Sequence, residues 1–161
     1  MIATKLSFPR RRESNDLLGF ARKADAERYN ARALVVEKQY DQYEGVEGLK
    51  VNGKLTLGEN IADLRGLKIA YLALQKALAI KKAGLIDGLT PDQRFFISYA
   101  QAWRDLARPE QERVLISTNP HSPPRFRVQG PLANMPEFAQ AFSCQSDDAA
   151  LRATGERVNL W

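Results

Sequence analysis

From Gly58 to Lys82 apolar residues fall on almost every side of a helical projection: Ile61, Leu64, Leu67, Ile69, Tyr71, Leu72, Leu74, Leu78 and Ile80. A helix apolar all round is a central one. Lys81 and Lys82 suit the negative end of its dipole, and Gly84 is a stop signal. Upstream, residues 16–44 carry Phe20, Ala24, Ala31, Leu34, Val35 and Tyr43 among charged positions and read as a helix. Gly45, Gly48 and Gly53 mark a loop between the two, with Leu49–Gly53 a short extended piece ending in an Asn-Gly turn. Thr90-Pro91-Asp92-Gln93 predicts a helix start: Thr90 caps, Pro91 takes the first helical position and Gln93 completes a capping box. That helix carries Phe95, Phe96, Tyr99, Ala100 and Trp103. Residues 109–117 predict a shorter helix and Asn119–Pro131 a Pro- and Arg-rich loop. Asn134 predicts the cap of a last short helix through Phe142, and the chain then runs irregularly to Trp161. Residues 1–15, with Pro9 and three successive arginines, show no periodicity. The fold class is mainly α, with no internal repeat.

Composition narrows this picture a little. The 161 residues suffice for one domain, and 44% hydrophobic with 27% charged content is ordinary for a globular protein. No run approaches the roughly 18 apolar residues of a membrane span. The basic start lacks a following apolar stretch, so no secretory signal is visible and localisation stays open. One cysteine, Cys144, excludes an internal disulfide and a multi-cysteine zinc site. Of the net charge of +5, +4 lies in residues 1–32, which hold eight basic and four acidic residues. A basic tail can bind phosphate backbones, but no nucleic-acid motif accompanies it, so a solvated tail is expected and nucleic acid is not a predicted partner.

The chemistry concentrates at Glu59 and Asp63. Four residues apart on a helix, both carboxylates lie on one face, surrounded by Leu57, Ile61, Ala62, Leu64 and Leu67. Like charges in apolar surroundings require a cation: a metal, an arginine or a metal-bound histidine. One reading is a metal ligand beside an acid that orients another ligand; the other is two acids serving a helix N-terminus. His121, the only histidine, shares His121-Ser122-Pro123-Pro124-Arg125-Phe126-Arg127 with two arginines. It reads either as an oxyanion or carboxylate binder or as a structural loop histidine. Cys144 reads as a small core residue.

Three stretches in order, VNGKLTLGENIADLRGL, DGLTPDQRFFISYAQAWR and NPHSPPRFRVQGPLANMPEFAQAFSC, make residues 24–161 resemble the C-terminal part of the neprilysin / endothelin-converting-enzyme family of zinc metalloendopeptidases. The resemblance implies a helical, gluzincin-type catalytic domain, zinc as cofactor and peptides as substrates, in a family mostly found outside the cytoplasm. It implies that Glu59 is the third zinc ligand and that Asp63 supports a zinc-binding histidine. It further implies that His121 stabilises the tetrahedral oxyanion, that Arg127 binds substrate or shapes the site, and that Trp161 is the family's C-terminal aromatic near the site. Residues 1–15 do not match, which divides the chain into that segment and a truncated peptidase domain over 16–161. Arg65 stands where a small glycine is expected.

The family takes two zinc ligands and its general base from an HExxH helix, and this chain has no HExxH. The expectation is a C-terminal fragment carrying part of a zinc site, inactive alone, with weak or absent zinc binding and an exposed apolar face on the Glu59 helix. An HExxH-bearing fragment is the partner that would complete it. The alternative is a non-catalytic remnant or interaction module.

Overall fold

A computed structural model describes residues 23–145 and 148–158. The expectations for residues 1–15, for the helix before Lys23 and for Trp161 lie outside them. Among the described residues six α-helices follow in order: α1 Lys23–Tyr40, α2 Gly53–Ile80, α3 Pro91–Ala102, α4 Pro109–Thr118, α5 Pro124–Leu132 and α6 Pro136–Ala141. Short 3-10 turns sit at Val46–Gly48 and Thr154–Glu156. Among the described residues, extended pairing is limited to two isolated bridges, Glu44 with Lys50 and Ile86 with Leu89. The mainly helical class holds.

Helix α2 is the spine. Val36, Tyr40, Val51, Leu64, Phe126 and Val158 form one core cluster, drawing on α1, α2 and α5. Leu67, Tyr71, Phe96, Leu132 and Met135 form the other, drawing on α2, α3 and α5. Tyr43 stacks on Phe126 at 4.7 Å, and Tyr71 on Phe96 at 5.4 Å.

Several boundaries differ from the sequence expectation, each for a local reason. Helix α2 begins five residues early, at Gly53. Asn52 is its cap and accepts from the Leu55 N–H at 2.9 Å, instead of forming a turn with Gly53. Gly53 packs so closely on α1 that a Cβ would stand 2.2 Å from the Glu37 carbonyl oxygen. On α1 the buried side is Ala33, Val36, Gln39 and Tyr40, whereas Leu34 and Val35 are exposed. Helix α2 is not covered all round: Thr56, Asn60, Leu64, Leu67 and Tyr71 are buried, while Ile69, Leu72 and Ile80 face outward.

The predicted loop over Asn119–Pro131 is mostly helix. Pro124 occupies the first position of α5, where a missing N–H costs nothing, so a proline-rich stretch there starts a helix and does not prevent one. Only residues 119–123 remain as loop. Asn134 does not cap α6, whose cap position is Met135. Its side chain donates to Gln39 Oε1 and the Gly130 carbonyl, both at 2.8 Å, and accepts from the Val158 N–H at 2.9 Å. It ties α1, α5 and the C-terminal stretch together from inside. Cys144 is partly exposed, not a core residue. The box at Thr90 forms as expected, with Gln93 N–H to Thr90 Oγ1 at 3.1 Å and Thr90 N–H to Gln93 Oε1 at 3.0 Å.

Candidate active site

Two elements build the site. The second and third turns of α2 present Glu59 and Asp63 on one face, and loop 119–123 with the first turn of α5 brings His121 and Arg127 against it. His121 Nε2 lies 3.2 Å from Glu59 Oε2. Arg127 meets Asp63 with two parallel bonds, Nε to Oδ2 at 2.6 Å and NH2 to Oδ1 at 2.7 Å. The same guanidinium is 3.7 Å from Glu59 Oε2. Arg127 is thus one cation that the apolar, acidic face of α2 requires.

The two pairs differ in burial, and this separates their tasks. The Asp63 and Arg127 side chains are 10% and 12% exposed, whereas those of Glu59 and His121 are 42% and 45% exposed. A two-pronged, charge-assisted pair in a half-dry setting is strong and directional. It is further fixed by Trp103, whose ring centroid lies 3.9 Å from the guanidinium carbon, and by Tyr99, which donates to the Arg127 carbonyl at 2.7 Å. The Asp63 hydrogen bonds hold the Arg127 guanidinium above its ordinary range, against the opposing pull of burial. Burial, reinforced by the Asp63 charge, pushes Tyr99 well up. Asp63 and Arg127 are the rigid base of the site, and Glu59 and His121 are its open edge.

His121 is oriented from behind. Asn119 Oδ1 accepts the His121 backbone N–H at 2.9 Å and lies 2.9 Å from ring Nδ1, which leaves Nε2 facing Glu59. A cavity of about 390 Å³ opens beside the pair, lined in part by Trp103, Leu106, Leu115, His121 and Arg127. Arg65 points elsewhere: it lines a second cavity with Leu64, Lys68, Met135 and Arg157, which shares none of these four residues.

The structure therefore brings together the four residues singled out from sequence, and adds Trp103, Tyr99, Asn119, Asn60 and Ser122, which the sequence reading passed over as site residues. Asn60 carried a signal: it is in helical register with Leu64 and Leu67, which places an amide on the buried side of α2.

A protein zinc centre takes three or four nitrogen, oxygen or sulfur ligands. Among the described residues no group of three or more His, Cys, Asp or Glu side chains could hold a metal ion. Both Asp63 oxygens already face Arg127. These residues fit one carboxylate ligand of a zinc centre, Glu59, and not a complete one. No helix among them is long and apolar enough to cross a membrane.

The model of peptidase family M13 matches residues 10–158. Neprilysin-3 of Drosophila melanogaster is 42% identical over 123 residues, 74% of this chain and 16% of that protein. Endothelin-converting enzyme 1 of Bos taurus is 43% identical over 126 residues, 75% of this chain and 16% of its own length. Among solved structures, the Mycobacterium tuberculosis zinc metalloprotease ZMP1 in complex with an inhibitor superposes with a TM-score of 0.82 at 38% identity, covering 86% of this chain and 22% of that one. The chain spans about one sixth of the length of the curated relatives it matches. With the match running through α2, the histidine loop and α5, the chain belongs to peptidase family M13.

Proposed function

We propose that this chain is the C-terminal part of a zinc-dependent metalloendopeptidase catalytic domain, inactive until an HExxH-bearing segment from outside these 161 residues completes it. The observation that supports this is the meeting of Glu59 with His121 at 3.2 Å, above an Arg127–Asp63 base. Glu59 would contribute one ligand to zinc. When bound, zinc supplies Lewis-acid polarisation of the scissile carbonyl and an acidified water.

The chain's own residues have definable tasks. His121, at the open edge, turns its Nδ1–H to Asn119 Oδ1, so it is as an imidazolium that it donates from Nε2 to the oxygen on which negative charge develops in the tetrahedral intermediate. Arg127 has five N–H donors, of which Asp63 takes two. The remainder are available to a substrate carbonyl, and stacking on Trp103 fixes their direction. Asp63 keeps lone pairs beyond those Arg127 uses, so it can also accept from the ring of a zinc-binding histidine and orient it. The peptide substrate lies along the face shared by His121 and Arg127, beside the cavity.

The test is a chimera in which this chain replaces the matching segment of the ZMP1 metalloprotease. Chelator-sensitive peptide cleavage is expected, abolished by Glu59→Ala and reduced about 10²–10³-fold in kcat by His121→Ala, the usual cost of losing an oxyanion donor. Cleavage indifferent to both substitutions overturns the reading. A non-catalytic interaction module is the second reading, favoured by the outward-facing Ile69, Leu72 and Ile80 of α2. It predicts a folded chimera that binds zinc through other residues and cleaves nothing.

A further inference from the structure

The buried side of α2 carries a directional chain of hydrogen bonds that ends at the histidine loop. Ser122 Oγ donates to Asn60 Oδ1 at 2.7 Å. Asn60 Nδ2 donates to Thr56 Oγ1 at 2.8 Å. Thr56 Oγ1 donates to the Asn52 carbonyl at 3.0 Å. All three side chains belong to buried residues: Asn60 is 0%, Thr56 2% and Ser122 3% exposed.

The direction of each bond follows from the inventory of donors. A hydroxyl has one proton. Thr56 commits its proton to the Asn52 carbonyl, so toward Asn60 it can only accept. The Asn60 amide must therefore turn its NH2 to Thr56 and its oxygen to Ser122. In this arrangement Asn60 Oδ1 is an acceptor aimed at the residue that follows His121.

Asn60 follows Glu59 in the chain, and Ser122 follows His121. The bond thus joins the backbone of the histidine loop to the helical turn that carries the candidate ligand. His121 itself is half exposed, and its other contact, Asn119, lies in its own loop. Pro123, next in sequence, caps α5 without a side-chain hydrogen bond.

We infer that Asn60 and Ser122 are positioning residues, whose buried bond sets the distance between His121 and Glu59. Loss of the bond frees the loop to swing while the helices stay packed, because the Asp63–Arg127 pair still anchors α5. The inference rests on the reading of His121 as the oxyanion stabiliser for its functional meaning, but its test is purely geometric and needs neither zinc nor substrate.

The experiment is solution NMR on the full chain. In the wild type, the His121 ring protons give a nuclear Overhauser contact to the Glu59 side chain, and the amides of His121 and Ser122 exchange more slowly than those of Asp105 and Ala107 in the loop after α3. In Ser122→Ala and Asn60→Ala that contact is lost and the amides of residues 121 and 122 exchange as fast as those of Asp105 and Ala107, while amide shifts in α1 and α3 stay put. Asn52→Ala, which removes the α2 cap side chain and keeps the backbone acceptor, lowers the melting temperature yet retains the contact; a general loss of stability would not separate these variants. A retained His121–Glu59 contact in folded Ser122→Ala overturns the inference. If neither variant folds, fast wild-type exchange at the His121 and Ser122 amides overturns it and slow exchange upholds it. Failure of the zinc reading in the chimera would leave these outcomes unchanged.

Discussion

Arg127 holds both carboxylate oxygens of Asp63, at 2.6 and 2.7 Å, across a separation of 64 residues in the chain. The pair closes α5 onto α2 and places a fixed cation beneath Glu59, 3.7 Å away. Two acids four residues apart on an apolar helix are tolerable here because one is neutralised internally. The other, Glu59, remains half exposed at the open edge, 3.2 Å from His121.

Asp63→Asn keeps the shape of the side chain and removes its charge. It should lower unfolding free energy by about 1.5–3 kcal/mol, the range for a hydrogen bond to a charged group. Arg127→Lys should cost a similar amount, since an ammonium cannot reproduce the two-pronged geometry or the stacking on Trp103. Urea unfolding reads both, and a change below about 0.5 kcal/mol for either would place the pair among ordinary surface ion pairs.

The long central helix and the Thr90 box were legible because each rests on local pattern, an apolar run and a four-residue motif; spacing alone left Glu59, Asp63, His121 and Arg127 open, and only the resemblance assigned them roles. What sequence concealed was non-local. Gly130-Pro131 reads as loop punctuation, yet it closes α5, because Gly130 is needed to let Tyr40 pass. Asn134 reads as a cap, yet its amide is consumed by Gln39, Gly130 and Val158. Leu34 and Val35 are apolar positions of a predicted helix, yet in α1 they are exposed, while Val36 and Tyr40 are buried on the side where Gly53 approaches Glu37. Asn60 and Ser122 look like spacers in their motifs until the fold juxtaposes them.

Gly130 gives a sharp packing prediction. A Cβ there would stand 2.0 Å from the Tyr40 hydroxyl oxygen and 2.4 Å from the ring carbon bearing it. Tyr40 is fully buried and cannot yield. Gly130→Ala should destabilise by about 1–3 kcal/mol through overpacking, outweighing a helix-propensity gain of at most about 1 kcal/mol. Equal or greater stability by thermal unfolding would contradict the close approach.

Alkaline pH should unfold the chain. Burial raises Tyr40 and Tyr99 above the ordinary tyrosine value, so the native state keeps protons that the unfolded chain releases. The unfolded state then binds fewer protons, and stability falls as pH rises. The stabilisation is fully present below about pH 10 and declines above it, at about 1.4 kcal/mol per pH unit for each tyrosine. Tyr99→Phe should reduce the slope of unfolding free energy between pH 10 and 11 by about three-quarters of a proton, the mean ionisation of an unfolded tyrosine over that window. An unchanged slope would show that Tyr99 ionises in the folded state.

The central claim is that this chain carries one zinc ligand, Glu59, of a centre completed from outside it. The zinc content of the purified full chain after dialysis against metal-free buffer tests it most directly. The account predicts zinc well below one ion per chain, unchanged in Glu59→Ala, because a stable protein site needs at least three ligands. Near one zinc per chain, lost in Glu59→Ala, would contradict it and show that these residues build a complete site alone.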